Sequence, residues 1–133
     1  MIHFDENYFQ KINFDKEYPS QVFNSALRNL EIARKSNIPE VIFKFSYDAL
    51  IKLGITLIAK QGFRVKSVTG HHVKILSALS ELLGNHDIEV MGNHMRQKRN
   101  LDLYEADIEV TEKECKEYLC FIETIQEKVR HLI

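Results

Sequence analysis

At 133 residues the chain is long enough for one domain that buries its own core without disulfides or a structural metal. Its 44% hydrophobic and 28% charged content is ordinary for a soluble globular protein, and five Gly, two Pro and no Trp argue against a turn-rich β-sandwich and against disorder. A formal net charge of −1 excludes a strongly basic nucleic-acid binder as the default reading and leaves room for a local basic cluster.

Cys115 and Cys120 fall on one expected helix at a spacing that turns them to different faces, so neither pairing within the helix nor a metal-ligand spacing is expected. Reduced thiols in a cytoplasmic protein are the natural expectation. The first residues lack a basic-then-apolar leader pattern, and no apolar run approaches the roughly 18 residues a membrane-spanning helix needs, so no membrane association is expected.

Residues 1–17 show no clear period; Tyr8, Phe9, Ile12 and Phe14 suggest a short helix or an arm laid on the body. Pro19 suits a first helical position, and Val22, Phe23, Ala26, Leu27, Leu30, Ile32 and Ala33 repeat at helical spacing to about Ser36. Pro39 opens a second helix that runs to about Gln61, with Gly62 as its stop. Its apolar residues, from Val41 to Ala59, occupy most faces, the pattern of a helix buried centrally among others. The stretch from Gly62 to Val68 reads as a loop carrying Arg64 and Lys66. Thr69 is the expected cap of a third helix whose stripe is Val73, Ile75, Leu76, Leu79, Leu82 and Leu83, ended by Gly84-Asn85. A fourth helix is expected from about Asp87 to Ala106, then a connector from Ile108 to Val110. Thr111 to Glu114 is a capping box, opening a last helix from Lys113 to about Leu132 that buries Tyr118, Leu119, Ile122, Ile125 and Val129. The sum is a single all-α domain over residues 1–133, an antiparallel bundle of four or five helices with short connectors and no convincing strand.

The fourth helix carries the feature that composition does not explain. Ile88, Met91, Met95 and Leu103 fall on one stripe at about 100° per residue, and Arg99 lands within about 25° of its centre. Arg96, Asn100 and Tyr104, four apart, form a polar row along one flank. An arginine aimed into an apolar seam is costly without a partner. Solvated heads on aliphatic stems account for Gln97 and Lys98 and less well for Arg99. The structural alternative is an internal ion pair with Asp48, Glu81 or Asp102. The functional alternative is a phosphate or RNA-backbone site, because guanidinium forks match phosphate oxygens. Asn100 adds a donor there, and Tyr104 a hydroxyl or a stacking face. Periodicity does not choose between the two.

Conventional motifs are missing: there is no Gly-rich phosphate loop, His-Glu-x-x-His or Cys-x-x-Cys. His71 and His72 are adjacent, and helix neighbours diverge by about 100°, which argues against joint chelation and for surface or capping roles. His86, His94 and His131 lack partners at ligand spacing and receive the same reading. No cofactor or metal is expected.

The run from Phe45 to Ser67, the His71-His72 pair opening a helix, and Arg96-x-x-Arg99-Asn100-x-x-x-Tyr104 together resemble the HEPN superfamily of small helical bundles. The resemblance spans about residues 20–130, with only the last cluster motif-like. Members carry on one helix an Arg, a polar residue and then a His; they dimerise so that two copies share a cleft, and many are metal-independent ribonucleases. Some are toxins whose antitoxin is a small nucleotidyltransferase. By position Arg99 matches the motif Arg and Asn100 the polar residue, while Tyr104 stands where the family has His. The resemblance therefore implies a homodimer with a composite site of Arg96, Arg99, Asn100 and Tyr104 for RNA or nucleotide phosphate. It implies an endoribonuclease in which Arg99 binds the scissile phosphate, Asn100 orients it and Tyr104 contacts the 2′-OH or a base. Tyrosine, with an ordinary pKa near ~10, is a poor base at neutral pH, so binding survives this departure better than cleavage does. The alternative function is a non-catalytic helical module partnering a nucleotidyltransferase or another protein.

Overall fold

Pro19 and Pro39 both sit in the first turn of a helix, where a fixed φ and a missing N–H suit the backbone. They open α1 (Tyr18–Lys35) and α2 (Pro39–Lys60), the first two of five helices; α3 (His71–Leu83), α4 (His86–Tyr104) and α5 (Glu112–Arg130) follow. The computed structural model describes residues 2–13, 15–104 and 110–133, with 101–104 in backbone only. The expected extension of the fourth helix to Ala106, and Ile108 in the connector, lie outside the described residues.

α2 packs against all four other helices, and its buried residues, from Ile42 to Ala59, face every side. The continuous apolar run seen in the sequence has that meaning: the helix is the axis of the core. Three residues link α1 to α2 and two link α3 to α4, so each pair folds back on itself as a hairpin. Gly84, at φ +62°, makes the left-handed turn that closes α3, and the Asn85 side chain then caps α4 by accepting from the Asp87 amide at 3.1 Å. At α5 the Thr111 hydroxyl accepts from the Glu114 amide at 3.0 Å and the Glu114 carboxylate returns to the Thr111 amide, the reciprocal box expected there.

Two expectations are corrected. Phe9–Lys11 and Phe63–Val65 form a two-stranded antiparallel sheet, β1 and β2, where the sequence suggested a helix or arm and a loop. Three-residue strands carry no readable period, and their pairing joins segments more than fifty residues apart. Phe4 stacks on Phe63 at 4.2 Å and meets Phe9 edge-on at 5.1 Å, fastening the N-terminal segment over β2. Thr69 does not cap α3: the N-cap is Gly70, at φ +82°, with no side-chain cap bond. Among the described residues no helix is long and apolar enough to cross a membrane.

Candidate functional site

Glycine sets the distance between the helices that carry the site. A Cβ on Gly92 of α4 would lie 2.5 Å from Leu76 Cδ2 of α3, and one on Gly54 of α2 would collide with Ile75 Cγ2 of α3. At both places only a hydrogen fits, so α3 lies close against α2 and α4. One result is that the N-terminus of α3 meets the Arg96–Asn100 turn of α4, with the buried ring of Tyr47 from α2 touching both His72 and Arg99.

Gly70, His71, His72 and Val73 from α3 and Arg96, Arg99 and Asn100 from α4 line a cleft of about 220 Å³. Ile88 and Met95 are buried and Met91 is half-buried, so the apolar stripe of α4 points inward as its period requires; Leu103's side chain lies outside the described residues. Arg99, on the same side, is half-buried, and among the described residues its partner is an aromatic ring, not a carboxylate. Its guanidinium lies over the Tyr47 ring, 5.5 Å from the centroid. Such a contact is worth about 0.5–2 kcal/mol, increasing with desolvation, and it leaves the N–H groups at the guanidinium edge able to meet an anion. Asp48 instead pairs with Lys44 at 3.3 Å, and Glu81 is exposed on α3. Among the described residues neither forms the ion pair with Arg99 that the sequence allowed; Asp102's side chain lies outside them. Arg96 is half-buried, its Nε donating to Asn93 Oδ1 at 3.3 Å, and Lys98 turns away to Glu114 Oε2 at 2.7 Å, tying α4 to α5.

The histidines correct the surface reading. His71 and His72 are both half-buried in the cleft wall, and their rings approach edge-to-face at 4.5 Å. Adjacent helical residues diverge at Cβ, and the two rings meet because the His71 side chain bends back toward the preceding turn. Its Nδ1 lies 2.9 Å from the Val68 carbonyl oxygen. A carbonyl only accepts, so Nδ1 carries the proton, and in the neutral ring Nε2 carries the lone pair.

His72 has the opposite assignment. Its Nδ1 lies 2.9 Å from the hydroxyl of fully buried Tyr47. Burial pushes that hydroxyl up to about 12, against the smaller pull of Arg99 and Arg96, so it keeps its proton. Burial, then His71 and Arg99, push His72 down to about 4, so its ring is neutral at pH 7. Tyr47 donating to Nδ1 satisfies the buried hydroxyl and leaves His72 Nε2 as an N–H donor. The cleft wall thus holds one ring nitrogen that accepts and one that donates.

The N-terminus of α3 adds its own donors. The His71 amide donates to Val68 and that of Lys74 to Gly70, while those of His72 and Val73 have no backbone acceptor among the described residues. First-turn amides of this kind, with the positive end of the helix dipole, favour an anion. Two guanidinium groups and Asn100, exposed on the rim, face the same space.

Of the residues expected to form a site, Arg96, Arg99 and Asn100 come together in this cleft. Tyr104 ends α4, and its side chain lies outside the described residues. His71, His72 and Tyr47 were missed; a usable signal was their setting, two histidines directly after a Gly that ends a loop and begins a helix. The other histidines behave as expected. His86 and His131 lie 3.8 Å from Glu89 and Glu127 on the surface, and exposed His94 meets the Tyr118 hydroxyl at 3.2 Å. Comparison with family models, curated proteins and solved structures finds no match for the chain.

Proposed function

We propose that this chain binds RNA or nucleotide phosphate in the α3–α4 cleft, as a HEPN-like helical dimer, and that it cleaves RNA there without a metal. The observation that carries the reading is the cleft itself: two arginines, an asparagine and first-turn amides that have no backbone acceptor among the described residues converge with two half-buried histidines. Among the described residues the cleft's lining holds no carboxylate beside Arg96 and Arg99, so a bound phosphate would supply a counter-charge to them. In a dimer, two such clefts would lie side by side. A toxin or defence component, held in check by a nucleotidyltransferase partner, is the setting the resemblance suggests.

Cleavage needs a base for the ribose 2′-OH and a cation for the phosphorane. The family's His is Tyr104 here, and His71 takes over the first role in this proposal. Its Nε2 accepts the 2′-OH proton, the 2′-oxygen attacks phosphorus, and the P–O5′ bond breaks. The products are a 2′,3′-cyclic phosphate and a 5′-hydroxyl, the leaving oxygen gaining its proton from water. Arg99 and Arg96 stabilise the extra negative charge, and His72 Nε2–H donates to a non-bridging oxygen.

The test is incubation of single-stranded RNA with the protein in EDTA, comparing wild type, Arg99→Ala and His71→Ala. Wild type should give cyclic-phosphate ends, Arg99→Ala should lose binding, and His71→Ala should bind without cutting. Equal cleavage by wild type and Arg99→Ala, or none at any concentration, defeats the enzymatic reading. RNA binding that survives Arg99→Ala defeats the cleft. One observation favours the non-catalytic alternative, the tyrosine at the family's histidine position; in that case His71→Ala changes nothing and RNA is bound intact.

A further inference from the structure

A second cavity, of about 240 Å³, lies behind the same two histidines. α2 supplies Ile51, Ile55 and Ile58 to it, β2 supplies Phe63 and Val65, and α3 supplies Ile75. His71 and His72 line this cavity as well as the phosphate cleft, so one pair of rings forms a wall common to both. We propose that this cavity is a base subsite, taking the unpaired nucleobase of a nucleotide whose phosphate sits on Arg96 and Arg99. The inference rests on the phosphate reading of the cleft.

Size is the first consideration. At about 240 Å³ the cavity is smaller than the roughly 300 Å³ at which pockets for whole ligands begin, and so suits one part of a ligand, such as a single base. Lining chemistry is the second. A nucleobase has flat apolar faces and a polar edge. Ile55, Ile58 and the Phe63 ring offer contact to the faces, and the Ser67 hydroxyl and Arg64 guanidinium, both exposed at the rim, offer hydrogen bonds to the edge. An acyl chain suits the cavity poorly, since it would cover Arg64, Ser67 and two imidazoles without satisfying any of them. A sugar or free phosphate leaves the isoleucines unused. Position is the third. A nucleotide carries its base and phosphate on opposite sides of one sugar, and the apolar and basic spaces both border His71 and His72, so a sugar lying across those two rings would reach both.

Calorimetric titration with the four nucleoside 5′-monophosphates, ribose 5-phosphate and inorganic phosphate tests the assignment. At least one nucleotide should bind ten-fold or more tightly than ribose 5-phosphate. Ile55→Trp, which fills the cavity from its half-buried α2 wall, should abolish that difference and leave ribose 5-phosphate binding unchanged. Val65→Trp, on the two-stranded sheet outside the helical core, repeats the test if the first variant does not fold. Nucleotides that bind no better than ribose 5-phosphate, or a preference that survives both fillings, overturn the base subsite and leave the phosphate cleft standing. If none of the probes binds wild type, the cleft itself is refuted and the subsite with it.

Discussion

His72 should make this protein sensitive to mild acid, and the size of the effect follows from its surroundings. Burial beside Tyr47 and two arginines moves its proton affinity from 6.5 to about 4. Between those values the unfolded chain binds a proton at this ring and the folded chain does not. Stability therefore rises with pH across the window: the contribution is complete above pH 6.5, is lost as pH falls toward 4, and changes no further below it. At about 1.36 kcal/mol per pH unit a fully desolvated ring would lose about 3 kcal/mol over that interval. His72 is only half-buried, and solvent screening reduces this to about 1–2 kcal/mol. Carboxylates such as Glu114, held below its ordinary value by the hydrogen bond from Lys98, also lose stabilisation on acidification, so the useful quantity is a difference. His72→Gln keeps an acceptor for the Tyr47 hydroxyl and removes the titration. Urea unfolding of both proteins at pH 7, 5.5 and 4 should show wild type losing about 1–2 kcal/mol more than His72→Gln on acidification. Parallel losses would refute the assignment of a buried neutral imidazole.

Three further outcomes follow from the packing. Gly92→Ala gains up to ~1 kcal/mol of helix propensity but drives a methyl into fully buried Leu76, so it should destabilise by about 1–2 kcal/mol in urea unfolding and weaken phosphate binding by moving α4 off α3. Thr111→Ala removes the hydroxyl that accepts from Glu114 and should cost about 1 kcal/mol in the same assay without changing phosphate affinity. In alkali, burial pushes the Cys115 thiol up to about 11 from 9.0 and the Tyr47 hydroxyl up to about 12 from 10.0. The unfolded chain releases these protons first, so stability should fall as pH rises from 9 to 12, and Cys115→Ala should flatten the first part of that fall in a thermal-melt series.

What could be read in the sequence was what local periodicity and capping chemistry encode. The two prolines, the all-round apolar run of α2, the Gly84-Asn85 break and the Thr111–Glu114 box placed the helices close to their observed bounds. Pairing over long separations was not legible. β1 and β2 are too short to show alternation, and Arg99's inward phase was visible while its aromatic partner, on another helix, was not. The His71-His72 pair was misread for a different reason: divergence of the Cβ atoms does not keep two rings apart when one is drawn back to the Val68 carbonyl, and the other meets Tyr47 from another helix. Gly92 and Gly54 likewise look like weak points in helices and are where helices touch.

The central claim, that the α3–α4 cleft holds a phosphate, is tested most directly by imidazole NMR. Inorganic phosphate titrated into protein with ¹⁵N-labelled histidine should shift the ring nitrogens of His71 and His72, raise the proton affinity of His72 because an anion now lies beside it, and leave His86 and His131 unmoved. Arg99→Ala should remove the response. Rings of His71 and His72 that stay unperturbed at saturating phosphate, or that respond equally in Arg99→Ala, would contradict the claim.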